Sequence, residues 1–330
     1  MGPLCLLALL NPDAHAKPGE GTGPRMTALY LTARDWLYRQ PSLLLVLTTA
    51  MWGGNGVAGK AAVGEIGPMT LVCWRWLIAC LILTAIARQD FTRDWPIMRR
   101  HWLAIVLMGA LGFTAFNALF YLSAHYTSAV NMTILQGAIP VFVLLGALIF
   151  FRVRATPIQL FGVLVTLAGV TTIAAQGSLE TLKKLTFNIG DIFLIIACVF
   201  YAGYTLALRN RPQVSPLGFF TAMAAIAFVT SIPLFVLEVA RGEFIWPSGK
   251  GYAALLYAGI FPSLVSQLFF MRGVAIVGPS RAGIFTNLVP VFGALFAVLF
   301  LGEPFHLYHA AALVLVVGGI LIAETIGRRP

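Results

Sequence analysis

The stretch MWGGNGVAGKAA, Met51–Ala62, admits two readings that lead to different folds. Gly54, Gly59 and Lys60 fit the spacing G-x-x-x-x-G-K of a phosphate-cradling loop, which would put a nucleotide at the heart of the protein. Such a loop follows a buried strand, opens a helix and ends in Ser or Thr, whose hydroxyl holds Mg²⁺. Here the residue after Lys60 is Ala61, with no oxygen to offer, and the upstream segment PSLLLVLTTAMW runs into the glycines without a turn. The other reading is a glycine-rich piece of a membrane helix.

Composition favours the second reading. Hydrophobic residues make up 59% of the 330 and charged residues only 10%, against about 25% charged in a soluble domain; mean hydropathy is +0.88. Crossing a ~30 Å hydrocarbon core takes about 20 apolar residues as a helix. Runs of that kind fall at about 43–62, 68–87, 102–122, 128–151, 157–175, 189–208, 215–238, 251–271, 279–301 and 306–325. They are continuously apolar and about twice the length of an alternating barrel strand. The expected fold class is therefore an all-α integral membrane protein with ten transmembrane helices.

Lys and Arg set the orientation. With a cytoplasmic N-terminus, only Lys183, Lys184, Arg241 and Lys250 of the 22 basic residues fall on the outer side, Lys60 and Arg75 lie within spans, and the other 16 are cytoplasmic. Both termini, and the loops holding Arg93 and Arg152, are expected in the cytoplasm of a multi-pass plasma (inner) membrane protein. The same distribution explains most of the net charge of +10 without nucleic acid as a partner; the bilayer and a small-molecule substrate are the partners expected. Cys5, Cys73, Cys80 and Cys198 show neither disulfide nor metal-ligand spacing. Residues 1–40 are expected to form a cytoplasmic extension, disordered or amphipathic, within which Met26 offers an alternative start.

Shifting the numbering by 150 superposes one half of the chain on the other. IPVFVLLGALIF (Ile139–Phe150) lies on VPVFGALFAVLF (Val289–Phe300), with Pro140/Pro290, Val141/Val291, Phe142/Phe292, Leu145/Leu295, Ala147/Ala297 and Phe150/Phe300 identical. Gly169 falls on Gly319 and Asn117 on Gln267 by the same shift. Two repeats, 41–176 and 188–326, each hold five spans. The odd number turns the second copy upside down, an arrangement characteristic of secondary carriers with a midplane site between the halves.

Polar stripes run along several spans: Trp52, Asn55 and Gly59; Thr114, Asn117 and Tyr121; Thr133, Gln136 and Pro140; Tyr201, Tyr204 and Thr205; Ser263, Ser266, Gln267 and Phe270. For any one residue, helix–helix glue at about 0.6 kcal/mol is the competing explanation; for the set, a shared aqueous cavity fits better. The expected substrate-binding residues are Asn55, Asn117, Tyr121, Gln136, Tyr201, Tyr204, Gln267 and Asn287. Pro140 and Pro290 free the carbonyls of Gln136 and Thr286, and with Gly54, Gly56 and Gly59 they are the expected helix breaks or hinges. Lys60 and Arg75 either reach outward to the interface or serve as gate or anion contacts. No Asp or Glu falls in the middle of a span, where proton-driven carriers usually hold a carboxylate relay.

WGGN (Trp52–Asn55), PMTLVCWR (Pro68–Arg75), AHYTSA (Ala124–Ala129) followed by Pro140, and Gly278-Pro279-Ser280 followed by Val289-Pro290 and LGEP (Leu301–Pro304) carry a resemblance. Over residues 43–325 the chain resembles the drug/metabolite transporter superfamily, EamA type. The resemblance implies a ten-helix carrier of two EamA repeats, exporting amino acids or related small metabolites. The Leu-Gly-Glu block appears only in the second half; the first reads FFRVR. No cofactor and no nucleotide is expected. An enzyme, or a lipid-facing carrier or scaffold, is the alternative; His101, His125, His306 and His309 all lie at span ends, away from any convergent catalytic set.

Overall fold

The computed structural model describes residues 36–152, 156–178, 188–277, 282–283 and 285–323. Most of the N-terminal extension, Arg154, Lys183, Lys184, Gly278, Pro279, Arg281, Glu324 and the C-terminal arginines lie outside these residues. Every described part of the ten apolar runs is helical or nearly so, and no strand occurs among the described residues. By length and composition alone, five helical stretches qualify as membrane spans, one being the continuous Pro68–Ser123; Pro157–Ile173, Thr286–Leu301 and Leu307–Leu321 are shorter apolar helices. The protein is an all-α, multi-pass membrane protein, and the count of ten crossings rests on the sequence.

Local signals explain where the helices start. Pro41, Pro68, Pro157 and Pro216 occupy the first turn of their helices, where a missing N–H costs nothing. Ser128, Thr156, Asn188, Ser215 and Ser248 cap the helices that follow them through a side-chain oxygen. The helices ending at Phe151 and Leu301 stop the same way, in a left-handed residue: Arg152 (φ 50°) in the first half and Gly302 (φ 64°) in the second. Arg152 thus keeps the left-handed helix stop of the repeat with a residue ill suited to it.

Packing follows the two-fold of the inverted repeat. Counterparts pair directly: Pro68–Met98 lies along Pro216–Ala240, and Pro157–Ala174 along Leu307–Leu321. The first span packs on the ninth and eighth, and the sixth, its counterpart, packs on the fourth and third. The distribution of polarity is that of a protein dissolved in lipid. Ile149, Phe150, Leu299, Phe300 and Val314 are more than 60% exposed, with Phe150 and its repeat partner Phe300 at 75% and 72%. Asn55, Arg75, Asn117 and Asn287 are buried.

The glycines of the opening stretch lie in one continuous helix, Pro41–Ala61. They are contact surfaces facing four neighbours. A Cβ at Gly53 would stand 2.7 Å from the backbone nitrogen of Gly293 and 2.9 Å from the Val289 carbonyl oxygen; one at Gly56 would stand 2.8 Å from Thr133, and one at Gly59 2.9 Å from Tyr121. Gly54 faces the Tyr257 hydroxyl, which donates to the Met51 carbonyl at 3.0 Å. The first helix is thus wedged among the third, fourth, eighth and ninth spans by the absence of its side chains.

Two features interrupt the helices symmetrically. A π-helical segment, Ala110–Ala115, divides the third span, and its repeat, Phe261–Val265, divides the eighth. The fourth span breaks after Gln136 and resumes at Ile139, with Pro140 in the new first turn; the ninth passes through a 3₁₀ turn, Thr286–Leu288, before Val289 and Pro290. Both prolines therefore restart a helix.

Candidate functional site

A cavity of about 910 Å³ lies between the two halves. Its wall includes Asn55, Arg75, Asn117, Gln136 and Pro140 from the first repeat and Tyr201, Tyr204, Gln267 and Asn287 from the second. Of the residues expected at a binding site, only Tyr121 is absent from the wall; it stands directly behind it. Pro290, Gly54, Gly56 and Gly59 pack outside the wall. The lining runs from mid-helix toward Gln159, Leu208, Arg211 and Pro216, the end of the bundle that carries the arginine-rich loops.

The deep end is organised around the guanidinium of Arg75, which is 3% exposed. Its Nε and Nη2 donate to the Ser263 hydroxyl at 2.8 and 2.6 Å, and its Nη1 donates to Asn117 Oδ1 at 2.7 Å and to the Tyr121 hydroxyl. Each acceptor is fixed in turn. Ser263 donates to the Ala258 carbonyl at 2.7 Å, Asn117 Nδ2 to the Phe113 carbonyl at 2.6 Å, and Tyr121 to Asn55 Oδ1 at 2.7 Å. Ser263 lies in one π-helical segment and Phe113 in the other. The network therefore uses the places where an added residue loosens the regular ladder, a common location for functional sites.

Aromatic rings surround this polar floor. Trp76 stacks on Phe113 with centroids 4.8 Å apart, Phe113 meets Tyr204 at 5.2 Å, Phe116 meets Tyr201 at 5.0 Å, and Trp52 meets Phe270 at 5.3 Å. Trp76 Nε1, Gln136 Oε1 and both amide atoms of Asn287 are buried without a hydrogen-bond partner. Buried polar groups are rarely left so, and all three residues line the cavity. Trp76, Phe113 and Phe116 carry no polar marker that sets them apart from ordinary core aromatics, so only their neighbours Arg75 and Asn117 hint at their position.

Lys60 is elsewhere. Its ammonium donates to the carbonyls of Ala124 at 2.8 Å and Thr127 at 2.9 Å, closing the end of the third helix as a cation at a helix C-terminus does. It belongs to a polar seal at the end opposite the arginines. There Glu303, of the LGEP block, accepts from the backbone nitrogens of Ala129 and Val130 at 2.8 and 2.9 Å. Glu65 accepts from the Ser248 hydroxyl. Asp191, at the first turn of the sixth span, is 1% exposed and accepts from Thr127 Oγ1 at 2.6 Å. None of these residues lines the cavity.

Residues 40–175 and 188–325 each match the EamA-like transporter family. The chain is 27% identical over 299 residues to the uncharacterized transporter YyaM of Bacillus subtilis (strain 168), covering 87% of this chain and 94% of that one. It is 28% identical over 289 residues to an uncharacterized transporter of Archaeoglobus fulgidus, covering 85% and 96%. It is 21% identical over 297 residues to the uncharacterized inner membrane transporter YicL of Salmonella typhimurium, covering 88% and 97%. A solved protein structure superposes with a TM-score of 0.63 at 18% identity, over 88% of this chain and 99% of that one, which speaks to the fold alone. Two family matches over two inverted halves, with a cavity between them, lead to one conclusion: the chain belongs to the EamA-like transporter family.

Proposed function

We propose that this membrane transporter is a secondary carrier that exports small polar or zwitterionic metabolites, amino acids among them, by alternating access. One observation carries this reading: the cavity wall is built from repeat-related positions of both halves, Asn117 with Gln267 above all. An inverted repeat has two equivalent arrangements, and exchanging them would open the same site to the other side. The lining reaches Gln159, Arg211 and Pro216 and none of Lys60, Glu65, Asp191 or Glu303, so with the arginine-bearing loops in the cytoplasm the conformation reads as inward-facing, ready to load an exported solute. Its membrane is the plasma (inner) membrane, as the name of the Salmonella relative suggests. The wall offers hydroxyls, amides, aromatic faces and two guanidiniums, and among the described residues no set of groups arranged for bond making, which supports carriage over catalysis. The test is flux of a panel of metabolites in proteoliposomes. Saturable counterflow of at least one, absent from protein-free vesicles, is expected; its absence across the panel contradicts the proposal.

A further inference from the structure

The transport reading leaves the charge of the solute open, and the cavity's own charge balance addresses it. Arg75 and Arg211 line the wall, and among the described residues no Asp or Glu does. Arg211 is exposed at the mouth, whereas Arg75 is buried at the floor. The three side chains that accept from its guanidinium, Ser263, Asn117 and Tyr121, are neutral. Ser263 and Tyr121 already spend their own hydrogens on other acceptors, and Asn117 one of its two, so the cradle holds the guanidinium rigidly without cancelling its charge. Of the five guanidinium hydrogens, these contacts engage four and leave one on Nη2. The rings of Trp76 and Tyr121, each 5.4 Å from the guanidinium carbon, ease its burial through their faces. A buried charge without a counter-charge is costly, and among the described residues no carboxylate pairs with Arg75.

Resting on the carrier reading, we infer that the solute supplies the missing charge: the cavity selects a small organic monoanion, a carboxylate on an apolar or aromatic body, held at Arg75. The floor is asymmetric in the way such a ligand requires. Pro68 and Pro216 open the second helix of each half; counted from these starts, the position equivalent to Arg75 holds Met223, also on the wall. The anionic end docks against the first half, and the body lies against the aromatic cluster of Tyr201, Tyr204, Phe113 and Phe116. A zwitterion would dock its carboxylate in the same way but find no carboxylate for its ammonium. An amine would meet only like charge.

The probes are three compounds sharing one ring and differing in charge: 3-phenylpropionate, L-phenylalanine and 2-phenylethylamine. Binding to the purified protein is read from tryptophan fluorescence, with thermal stability measured alongside. The expected order is carboxylate, then zwitterion, then amine. Arg75→Gln should weaken the carboxylate roughly 10- to 150-fold, and Arg75→Lys should recover part of the loss. Since Arg75→Gln also removes bonds between the halves, Asn117→Asp provides a second reading: it keeps an acceptor beside the guanidinium but neutralises the charge. Carboxylate binding should fall there with Arg75 still in place, and the preference over the amine should vanish. Amine binding equal to or tighter than the carboxylate's, carboxylate binding unchanged in Asn117→Asp, or no binding of any probe at millimolar concentration overturns the inference. Each of these outcomes leaves the carrier reading to the flux experiment, which uses other solutes.

Discussion

Asp94 and Glu238 cap each other's helices. Glu238, at the end of Pro216–Ala240, accepts from the backbone nitrogens of Met69 at 2.8 Å and Thr70 at 3.0 Å, and from the Thr70 hydroxyl at 2.5 Å, at the start of Pro68–Met98. Asp94, near the end of Pro68–Met98, accepts from the Ser215 backbone nitrogen at 2.8 Å and from its hydroxyl, at the start of Pro216–Ala240. Both carboxylates are buried. Each supplies the negative charge that a helix N-terminus favours. The two antiparallel repeat counterparts are thus tied at both ends, about 36 Å apart at 1.5 Å per residue.

Removing either tie should destabilise the protein without touching the cavity. Charge-assisted hydrogen bonds contribute about 1.5–3 kcal/mol, so Glu238→Ala and Asp94→Ala should each lower the unfolding temperature of the purified carrier. At this separation their effects should add in the double variant. A double variant no less stable than either single one would show that the ties are not independent.

Arg152 holds the left-handed position that Gly302 holds in the second half. A left-handed conformation costs a non-glycine residue about 1–2 kcal/mol, part of which Arg152 regains as a cation at a helix C-terminus. Arg152→Gly should therefore raise the unfolding temperature, whereas Gly302→Arg should lower it. Loss of stability in Arg152→Gly would mean that the guanidinium makes a contact worth more than the strain.

The packing role of the first helix separates two kinds of glycine. Gly53→Ala places a methyl carbon against backbone atoms that cannot rotate away, and overpacking of that sort costs about 1–3 kcal/mol. Gly203, in Ile189–Ala207, has nothing within 4 Å of its Cβ position. Gly203→Ala should be neutral or gain up to about 1 kcal/mol from helix propensity. Folded yield and unfolding temperature of the pair check this; equal tolerance of both substitutions would remove the close-approach explanation.

Much of this was legible in the sequence because its signals are local or repeated. Apolar runs mark the helices, Pro140/Pro290 mark the repeat, and Asn117/Gln267 mark, through it, cavity wall from both halves. The illegible parts depend on partners far along the chain. Glu238 and Glu303 read only as residues at helix ends, because their acceptor roles involve Thr70 and Ala129 in the other half. Nothing in ALGFTA announces a π-helical segment, since the added residue is accommodated by tertiary packing. The same applies to Arg75 and Lys60: both sit at plausible snorkelling depth, yet one turns inward to Ser263 and the other closes a helix through Ala124 and Thr127.

Orientation is checked by accessibility. In a background without the native cysteines, single cysteines at Arg241 and Lys250 should react with an impermeant thiol reagent added outside intact cells. One at Arg93 should react only after permeabilisation. The opposite pattern would reverse the topology and make the conformation described outward-facing.

The central claim is that the cavity between the halves is the transport site, and the repeat pair Asn117 and Gln267 tests it most directly. Flux of the best-carried metabolite should be measured in proteoliposomes for Asn117→Ala and Gln267→Ala, per folded molecule, with unfolding temperatures of the same preparations. If both amides hold the solute, each variant should lose apparent affinity roughly 10- to 150-fold, as expected for one hydrogen bond to a charged group, while its unfolding temperature stays within a few degrees of the parent. Full activity in both variants, or losses that track falling stability, would contradict the account and make these residues packing between helices.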